Sequence, residues 1–266
     1  LFDRLRSEAA VELRLASQRS PDATGSSSAD LEIACDGPRS PHRQRWRLPL
    51  WSHPYRQGCL TLKVRLRDAE ATMAHELFRA EGPLAVLPLG DDRFQIVWSA
   101  PLERCRERAL LPASELLDQL ATILPAGLEV EALLDQPSAI PLQLSLAPRL
   151  HRGACLLVGE SGHRCHPVGG QGLNLCWRDV TTVLDLVERQ CLAAAPARRI
   201  ARRYSRQRLP DLILVGLATD GLVRLFSNRQ PLLLALRRLS LSVLARSALL
   251  RRLSLAAMTD GPLTIG

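Results

Sequence analysis

The sequence predicts an α/β (α+β) fold in which an antiparallel sheet interrupts a unit built on a buried strand, with helices at the C-terminal end. Three patterns predict it. The alternation of apolar and polar residues at Cys59–Leu66 is typical of an antiparallel strand with one solvent-facing side. The wholly apolar run Ala154–Val158 is typical of a central strand covered on both faces of an α/β sheet. Helical spacing of apolar residues dominates from position 172 onward.

The first half of the chain is predicted to contain a short helix, several strands and the antiparallel sheet. Residues 1–17 hold a short amphipathic helix and then an alternating run, Val11–Leu15, which predicts a strand. The polar stretch 18–30 predicts a loop or hairpin, and Leu31–Cys35 predicts a strand that leads into Asp36-Gly37. The sheet region extends over 45–101, and its other predicted elements are the strands Leu84–Leu89 and Phe94–Trp98 and a following helix at 113–124.

The later segments return to the buried-strand unit and then become helical. Strands are predicted at 141–146 and 154–158, and helices at 172–192, 196–226 and 231–257. We expect a break at Pro210, because proline removes a helical hydrogen bond. The Arg-rich last helix either docks on its own domain or contacts an anionic membrane surface or a partner subunit.

Composition and residue spacing narrow the possible partners and ligands of the chain. The 46% hydrophobic and 23% charged residues are ordinary for a globular chain, and 4% aromatic residues argue against a nucleic-acid partner that is bound by base stacking. The net charge of +8 comes almost wholly from Arg, since Lys63 is the single Lys, and we interpret it as a solvated surface. Seven scattered Cys residues without a CxxC pair predict reduced thiols in an intracellular protein. The cluster His163, Cys165 and His166 lacks distant partner ligands, so no metal is predicted.

The most informative segment is Gly159–Asn174, which we call the glycine loop. It follows the apolar strand directly, carries Glu160 at the carboxyl end of that strand, and opens a long helix. Ligands of open α/β sheets bind at this edge, glycines let backbone approach a ligand, and free N–H groups at a helix start favour an electron-rich partner. A flavin fits this pattern, with its ribityl hydroxyls donating to Glu160 and its pyrimidine edge accepting from amides near Gly172–Asn174.

The same segment resembles the second flavin-binding motif of the FAD-dependent aromatic hydroxylases of the p-hydroxybenzoate hydroxylase type, and in particular their ubiquinone-biosynthesis branch. The matching residues are His163, Pro167, Gly170, Gln171, Gly172, Leu173, Asn174 and Asp179. In two departures, Glu160 stands for the usual Asp and Cys176 for a usual Gly. Further stretches resemble the family in the same order, namely the D-G motif Cys35–Ser40, then Glu81–Leu89, Arg208–Asp211 and Thr219–Phe226.

This resemblance implies a domain plan and a set of cofactor-binding residues. An incomplete FAD-binding Rossmann-like domain is interrupted by an antiparallel-sheet substrate domain and followed by C-terminal helices. The implied divisions are 1–44 with the D-G motif, 45–140 as the substrate domain, 141–195 as the returning FAD-binding segment and 196–266 as the C-terminal helices. The residues implied to bind the cofactor are Asp36, Gly37, Arg39, Gly159, Glu160, Pro167, Gly170, Gln171, Gly172, Leu173 and Asn174.

The resemblance also implies a reaction. Such enzymes reduce FAD with NAD(P)H and use O₂ to hydroxylate an aromatic small-molecule substrate, here expected to be a prenylated phenol that is a quinone precursor. The cofactor carries this chemistry, so no catalytic side chain is predicted. The expected location is the cytoplasm, with the membrane periphery or a quinone-synthesis complex as further places of contact.

The opening G-x-G-x-x-G turn of the family, which holds the ADP half of FAD, is not found in the sequence. The chain starts at Leu1 and its D-G motif comes early, so we expect an N-terminally truncated member. We expect this chain to bind FAD poorly. The alternative is a catalytically inactive remnant that acts as a scaffold or subunit.

Four residues have a structural interpretation beside the functional one. His163 is either a loop residue near the flavin or a hydrogen-bonded structural histidine. Asp36 resembles an ordinary Asp-Gly turn residue, but its neighbours in the motif favour a functional role. For Arg39 and Arg178 we favour ion pairing within the protein over contact with phosphate.

Overall fold

The computed structural model describes residues 2–15, 29–191, 196–227 and isolated positions between 242 and 261. Its helices are α1 (Phe2–Ser7), α2 (Pro41–Arg45), α3 (Leu102–Ala109), α4 (Ala113–Ala121), α5 (Gln171–Cys191) and α6 (Ala197–Phe226). Its strands are β1 (Glu32–Ala34), β2 (Trp51–Arg67), β3 (His75–Leu77), β4 (Leu84–Gly90), β5 (Arg93–Pro101), β6 (Glu129–Leu133), β7 (Ser138–Leu146), β8 (His151–Arg152), β9 (Cys155–Leu157) and β10 (His163–Arg164). The predictions at 18–30 and 231–257 lie almost entirely outside the described residues.

The predicted antiparallel sheet is confirmed and is built around one long strand, β2. Its strand order is β10-β7-β2-β5-β4-β3, and β6 also pairs with β2. Alternate residues of β2 are buried, which is the period expected of a strand with one covered face. The covering side chains come from α3 and α4, through Cys105, Leu116 and Leu120, all fully buried.

The Glu81-Gly82-Pro83 turn fixes α3 against this sheet. The Glu81 carboxylate accepts from Arg104 at 2.7 Å and from Arg108 at 3.2 Å, both on α3. The Arg108 guanidinium also lies over the Trp98 ring of β5, 3.9 Å from its centroid. This turn therefore has a packing role in the antiparallel sheet.

The second sheet is small, with the strand order β1-β9-β8, and its first two strands are parallel. The predicted apolar strand is β9, and it is central, as its composition indicates. Helix α6 packs on it, with the Tyr204 hydroxyl donating to the Leu157 carbonyl at 3.1 Å. The mixed α/β class that the sequence predicts is confirmed.

Several element predictions were wrong or incomplete. The strand predicted at Val11–Leu15 is absent. These residues are irregular and exposed, and they pair with no strand among the described residues. Helix α6 continues through Pro210, whose flanking residues Arg208 and Asp211 are held in buried ion pairs. The sequence patterns also missed the short elements α2, α3, β3, β6, β8 and β10.

No helix in the described ranges is both long enough and apolar enough to cross a bilayer.

Candidate functional site

The parallel pairing of β1 and β9 brings the D-G segment and the glycine loop to one edge of the smaller sheet. The two carboxyl ends lie side by side, so Asp36-Gly37 and Gly159-Glu160 leave the sheet next to each other. Ser161 Oγ lies 2.8 Å from the Ala34 carbonyl oxygen and 2.9 Å from that of Val158, within donating distance of both. A single buried hydroxyl thus joins the two segments that the sequence singled out.

The glycine loop has a backbone that favours glycine at three positions. Gly159, Gly169 and Gly170 have φ values of 65°, 71° and 62°, in the left-handed region where a side chain is strained. A Cβ atom built at Gly170 or Gly172 would meet no atom within 4 Å. Open space therefore lies beside the start of α5, as a ligand that contacts backbone requires.

The start of α5 suits an electron-rich ligand group. Its first turn contains no acidic side chain, and the first N–H groups of any α-helix have no partner inside the helix. Gln171 is buried, and its Nε2 donates to the Gly169 carbonyl at 3.0 Å. The Gln171 Oε1 atom is also buried and has no hydrogen-bond partner in the part of the chain that is described. The side chain of Leu173 is exposed, and Asn174 lies beside it, partly buried. The site thus offers several donors and one unused acceptor, which fits a flavin ring.

Two charged residues of the predicted set are accessible at this edge. The Glu160 side chain is half exposed, and its Oε1 atom lies 3.6 Å from Arg164 Nε. Arg39 is exposed and makes no hydrogen bond or ion pair with another described residue, so the ion pair favoured for it is not seen. Pro167 closes the other side of the loop, where its carbonyl accepts from Gly170 N at 3.0 Å.

Asp36 organises the D-G segment. Its Oδ2 atom accepts from the His42 backbone N–H at 3.1 Å and lies 2.8 Å from His42 Nδ1. Burial raises the pKa of the Asp36 carboxyl, but hydrogen bonds from Ser40 and His42 outweigh it and the pKa is lowered. Gly37 beside it has a φ of 78° and open space where a Cβ would lie. Within this structure Asp36 fixes the turn that presents Gly37 and Arg39.

Sequence reasoning missed a buried ionic network beneath the glycine loop. Asp179 is fully buried, and its Oδ2 atom accepts from Gly159 N at 2.8 Å and lies 2.7 Å from His163 Nε2. Its Oδ1 atom accepts from Arg208 Nε at 2.6 Å. Arg208 also pairs with Asp211, and Asp211 with Arg178 at 2.9 Å. The residues that resemble the C-terminal helices of the family therefore fasten the loop to α6.

This network assigns structural roles to two residues left open above. His163 is the hydrogen-bonded structural histidine, and Arg178 is ion-paired, as favoured. Burial opposes ionisation of Asp179, but hydrogen bonding and charge from His163, and then Arg208, lower the pKa of its carboxyl. Asp179 lies in the third turn of α5, so it acts through these contacts and not as a partner of the helix dipole. In the described ranges, no three potential metal ligands come together.

The glycine loop also meets the larger sheet. Glu76 of β3 accepts from Gly169 N at 2.9 Å. The register of β2 against β7 shifts between Pro54 and Gly58, and such bulges re-aim side chains. In that bulge the Tyr55 hydroxyl donates to Asp220 of α6 at 3.0 Å, and its ring contacts His166 edge-on at 5.2 Å.

His166 is neutral at ordinary pH. It is fully buried, and burial lowers the pKa of its imidazole to about 4, although Asp220 acts in the opposite direction. Its Nδ1 atom accepts from Val168 N at 3.2 Å, so the remaining proton sits on Nε2. The loop, the sheet and α6 thus meet at a neutral imidazole and at a tyrosine whose hydroxyl is bonded to the Asp220 carboxylate.

The fold and the glycine loop define a flavin-type nucleotide-binding α/β protein with an inserted antiparallel sheet. The FAD binding domain family matches residues 6–210, and the chain belongs to that family. FAD is accordingly its cofactor class.

Individual proteins that resemble this chain are hydroxylases or monooxygenases by name. The ubiquinone hydroxylase UbiL of Rhodospirillum rubrum is 33% identical over 236 residues, covering 85% of this chain and 53% of its own length. The 3-demethoxyubiquinol 3-hydroxylase of Escherichia coli is 29% identical over 229 residues, covering 85% and 58%. Among solved structures, p-nitrophenol 4-monooxygenase PnpA from Pseudomonas putida superposes with a TM-score of 0.68 at 15% identity, covering 87% of this chain and 59% of that one. The chain spans about half the length of the curated relatives it matches.

Proposed function

We propose that this chain forms the flavin-ring side and the substrate sheet of an FAD-dependent monooxygenase that hydroxylates a phenolic quinone precursor. The observation that carries this proposal is the glycine loop at the edge of the parallel strands, with open backbone at Gly170 and Gly172, joined to the antiparallel sheet. Relatives named as ubiquinone hydroxylases support the reaction and the class of substrate.

The described residues fit FAD in defined roles. Backbone N–H groups at Gly172–Asn174 hold the electron-rich edge of the flavin ring, and Glu160 accepts from the ribityl hydroxyls. The turn held by Asp36 presents Gly37 and Arg39 toward the pyrophosphate side, where a free guanidinium suits a phosphate. Bound FAD supplies electron transfer from NAD(P)H and the activation of O₂.

The protein itself positions the cofactor and excludes water. The bond from Gly159 N to Asp179 fixes the backbone where the strand enters the loop, and the bond from Gly169 N to Glu76 fixes the loop against the sheet. Both bonds limit the positions that a ring resting on the loop can take relative to a substrate on the sheet. Buried His166, which is neutral at ordinary pH, packs against the ring of Tyr55 and supports the loop against the sheet.

Contact with a membrane surface or a quinone-synthesis complex is part of the proposal. It is supported by the apolar character of prenylated substrates, which favours their transfer out of water.

Binding of flavin fragments to the full chain tests the proposal. Riboflavin, which has the ring and the ribityl chain, should bind with quenching of its fluorescence, and ADP, which lacks both, should not displace it. Gly172→Val should weaken riboflavin binding by at least about tenfold, equivalent to about 1.4 kcal/mol, because the branched side chain fills the open space.

The matched control is Gly221→Val, since Gly221 lies in α6 and a Cβ there also meets nothing within 4 Å. This variant carries the same helical cost of a β-branched residue without touching the loop. Equal losses in both variants, or competition by ADP alone, would overturn the placement of the ring.

A further inference from the structure

A small apolar cavity lies behind the glycine loop, on the side of α6. Its volume is about 120 Å³, and almost no polar surface is exposed inside it. Most of the lining is apolar: Trp51 of β2, Leu144 and Leu146 of β7, and Ile213, Gly216 and Leu217 of α6. Ser145, His163 and Arg164 also border the cavity but present almost no polar surface to it. Cys165 of the glycine loop and Leu175 of α5 close its inner end. The cavity therefore borders the glycine loop on the side of α6.

A glycine in the middle of α6 leaves this space open. Glycine in a helix interior costs roughly 0.5–1 kcal/mol relative to alanine. Gly216 lacks the positive φ that would require glycine, and a Cβ there would only contact Leu144 Cδ1 at 3.4 Å. The backbone thus does not demand glycine at 216, whereas any longer side chain at that position would occupy the cavity.

The mouth of the cavity is apolar as well. Trp51, Ile213 and Leu217 keep 56%, 46% and 64% of their surface exposed. Ile213 and Leu217 are one helical turn apart, so they flank Gly216 on the same face of α6. An occupant would cover these side chains as it enters.

We propose that this cavity is a binding site for a branched aliphatic chain, the hydrocarbon tail of the substrate. An apolar protein cavity of roughly 150 Å³ holds one benzene molecule, so this one takes about one isoprene-sized unit. A free phenol is disfavoured there because its hydroxyl would be taken out of water with almost no polar surface to meet it, whereas a long aliphatic chain can enter and leave a polar end group outside. The identity of the chain as a substrate tail rests on the proposed function, whereas the preference for aliphatic ligands rests on the lining alone.

Titration of the full chain with geraniol and with phenol, followed by methyl NMR and calorimetry, tests this site. Geraniol should bind and shift the methyl signals of Leu144, Ile213 and Leu217, and phenol should not compete with it. Gly216→Leu should weaken geraniol binding by at least about tenfold, and Gly216→Ala by less. Gly221→Leu, in the same helix but exposed, should stay within about twofold of wild type.

The riboflavin titration separates the possible failures. Gly216→Leu should leave riboflavin binding unchanged, because Gly216 lies outside the glycine loop. Normal geraniol binding in Gly216→Leu, or displacement of geraniol by phenol, would overturn the tail site whatever riboflavin does. Absence of riboflavin binding in the wild type would overturn the proposed function and leave the aliphatic site to be judged by geraniol. Should Gly216→Leu fail to fold, judged by circular dichroism, Gly216→Ala decides: unchanged affinity there contradicts the proposal.

Discussion

The larger sheet and the glycine-loop region are held together by different forces. In the sheet, Leu60, Leu62 and Val64 of β2 are fully buried against apolar neighbours on β4, β5, α3 and α4. In the loop region, the core also contains charged groups, among them Asp179, Arg208 and Asp211. Apolar burial is non-directional, whereas a buried charge is destabilising when one of its partners is removed. The stability of the sheet is thus spread over many apolar contacts, while the geometry of the glycine loop depends on a few ionic ones.

The difference extends to the surface. Helix α5 exposes an apolar stripe formed by Leu173, Trp177, Val180 and Leu184. These positions follow helical spacing, so they lie on one side of α5, opposite the face that carries buried Asp179 and Val183. Beside the larger sheet, Leu110 at the C-terminal end of α3 is 86% exposed, and no other large apolar side chain of α3 or α4 is exposed. The stripe on α5 is thus a row of exposed apolar side chains, whereas Leu110 is the single one on its helix pair.

The largest expected effect comes from breaking the buried network. Asp179→Asn removes the charge that compensates Arg208 and should destabilise the loop region by about 3–5 kcal/mol. Hydrogen exchange measured by mass spectrometry should rise in peptides from β9, α5 and α6, while β2 and β5 stay protected. The matched control is Glu131→Gln, which removes an ion pair with exposed Arg67 and should cost less than about 1 kcal/mol. Uniform loss of protection in both regions of Asp179→Asn would show that they do not differ in the way described.

The contrast between the regions also explains which features the sequence could predict. The strand at 59–66 shows alternation because one sheet face is buried along its length, whereas the strand at 84–89 is apolar throughout. Strands β8 and β10 have two residues each, too few to carry any period. The predicted loop and D-G segment do lie at one edge, because parallel strands bring their carboxyl ends together.

The network could not be derived in the same way. His163, Asp179 and Arg208 are far apart in the chain, and each is an unremarkable polar residue in its local pattern. Only their shared resemblance to family motifs marked them, without indicating a role. The same contacts explain the error at Pro210, because tertiary ion pairs on both sides of that residue hold the helix continuous.

The second prediction concerns pH. The folded-state pKa of His166 is lowered to about 4, whereas its ordinary value is 6.5, so between these pH values the unfolded state binds a proton that the folded state excludes. Stability should therefore be complete above about pH 6.5 and decline as the pH falls toward 4, by about 3 kcal/mol at most. Chemical denaturation at several pH values measures this slope. His166→Gln should flatten it, and His53→Gln, at an exposed position, should not. An unchanged slope in His166→Gln would mean that other groups govern acid sensitivity.

The smallest effect on stability is expected for substitutions in the exposed stripe of α5. Such a substitution should change dye binding at the surface while leaving the free energy of unfolding nearly unchanged. Trp177 is 61% exposed, so Trp177→Gln should change the free energy of unfolding by no more than about 0.5 kcal/mol. The same change should clearly lower the fluorescence of a bound hydrophobic dye, because it interrupts a contiguous apolar patch. Leu110→Gln on the sheet side should leave dye binding unaltered, although Leu110 is 86% exposed, because a single apolar residue does not form a patch. Equal dye responses in the two variants would mean that exposed apolar area, and not its continuity on α5, distinguishes the two regions.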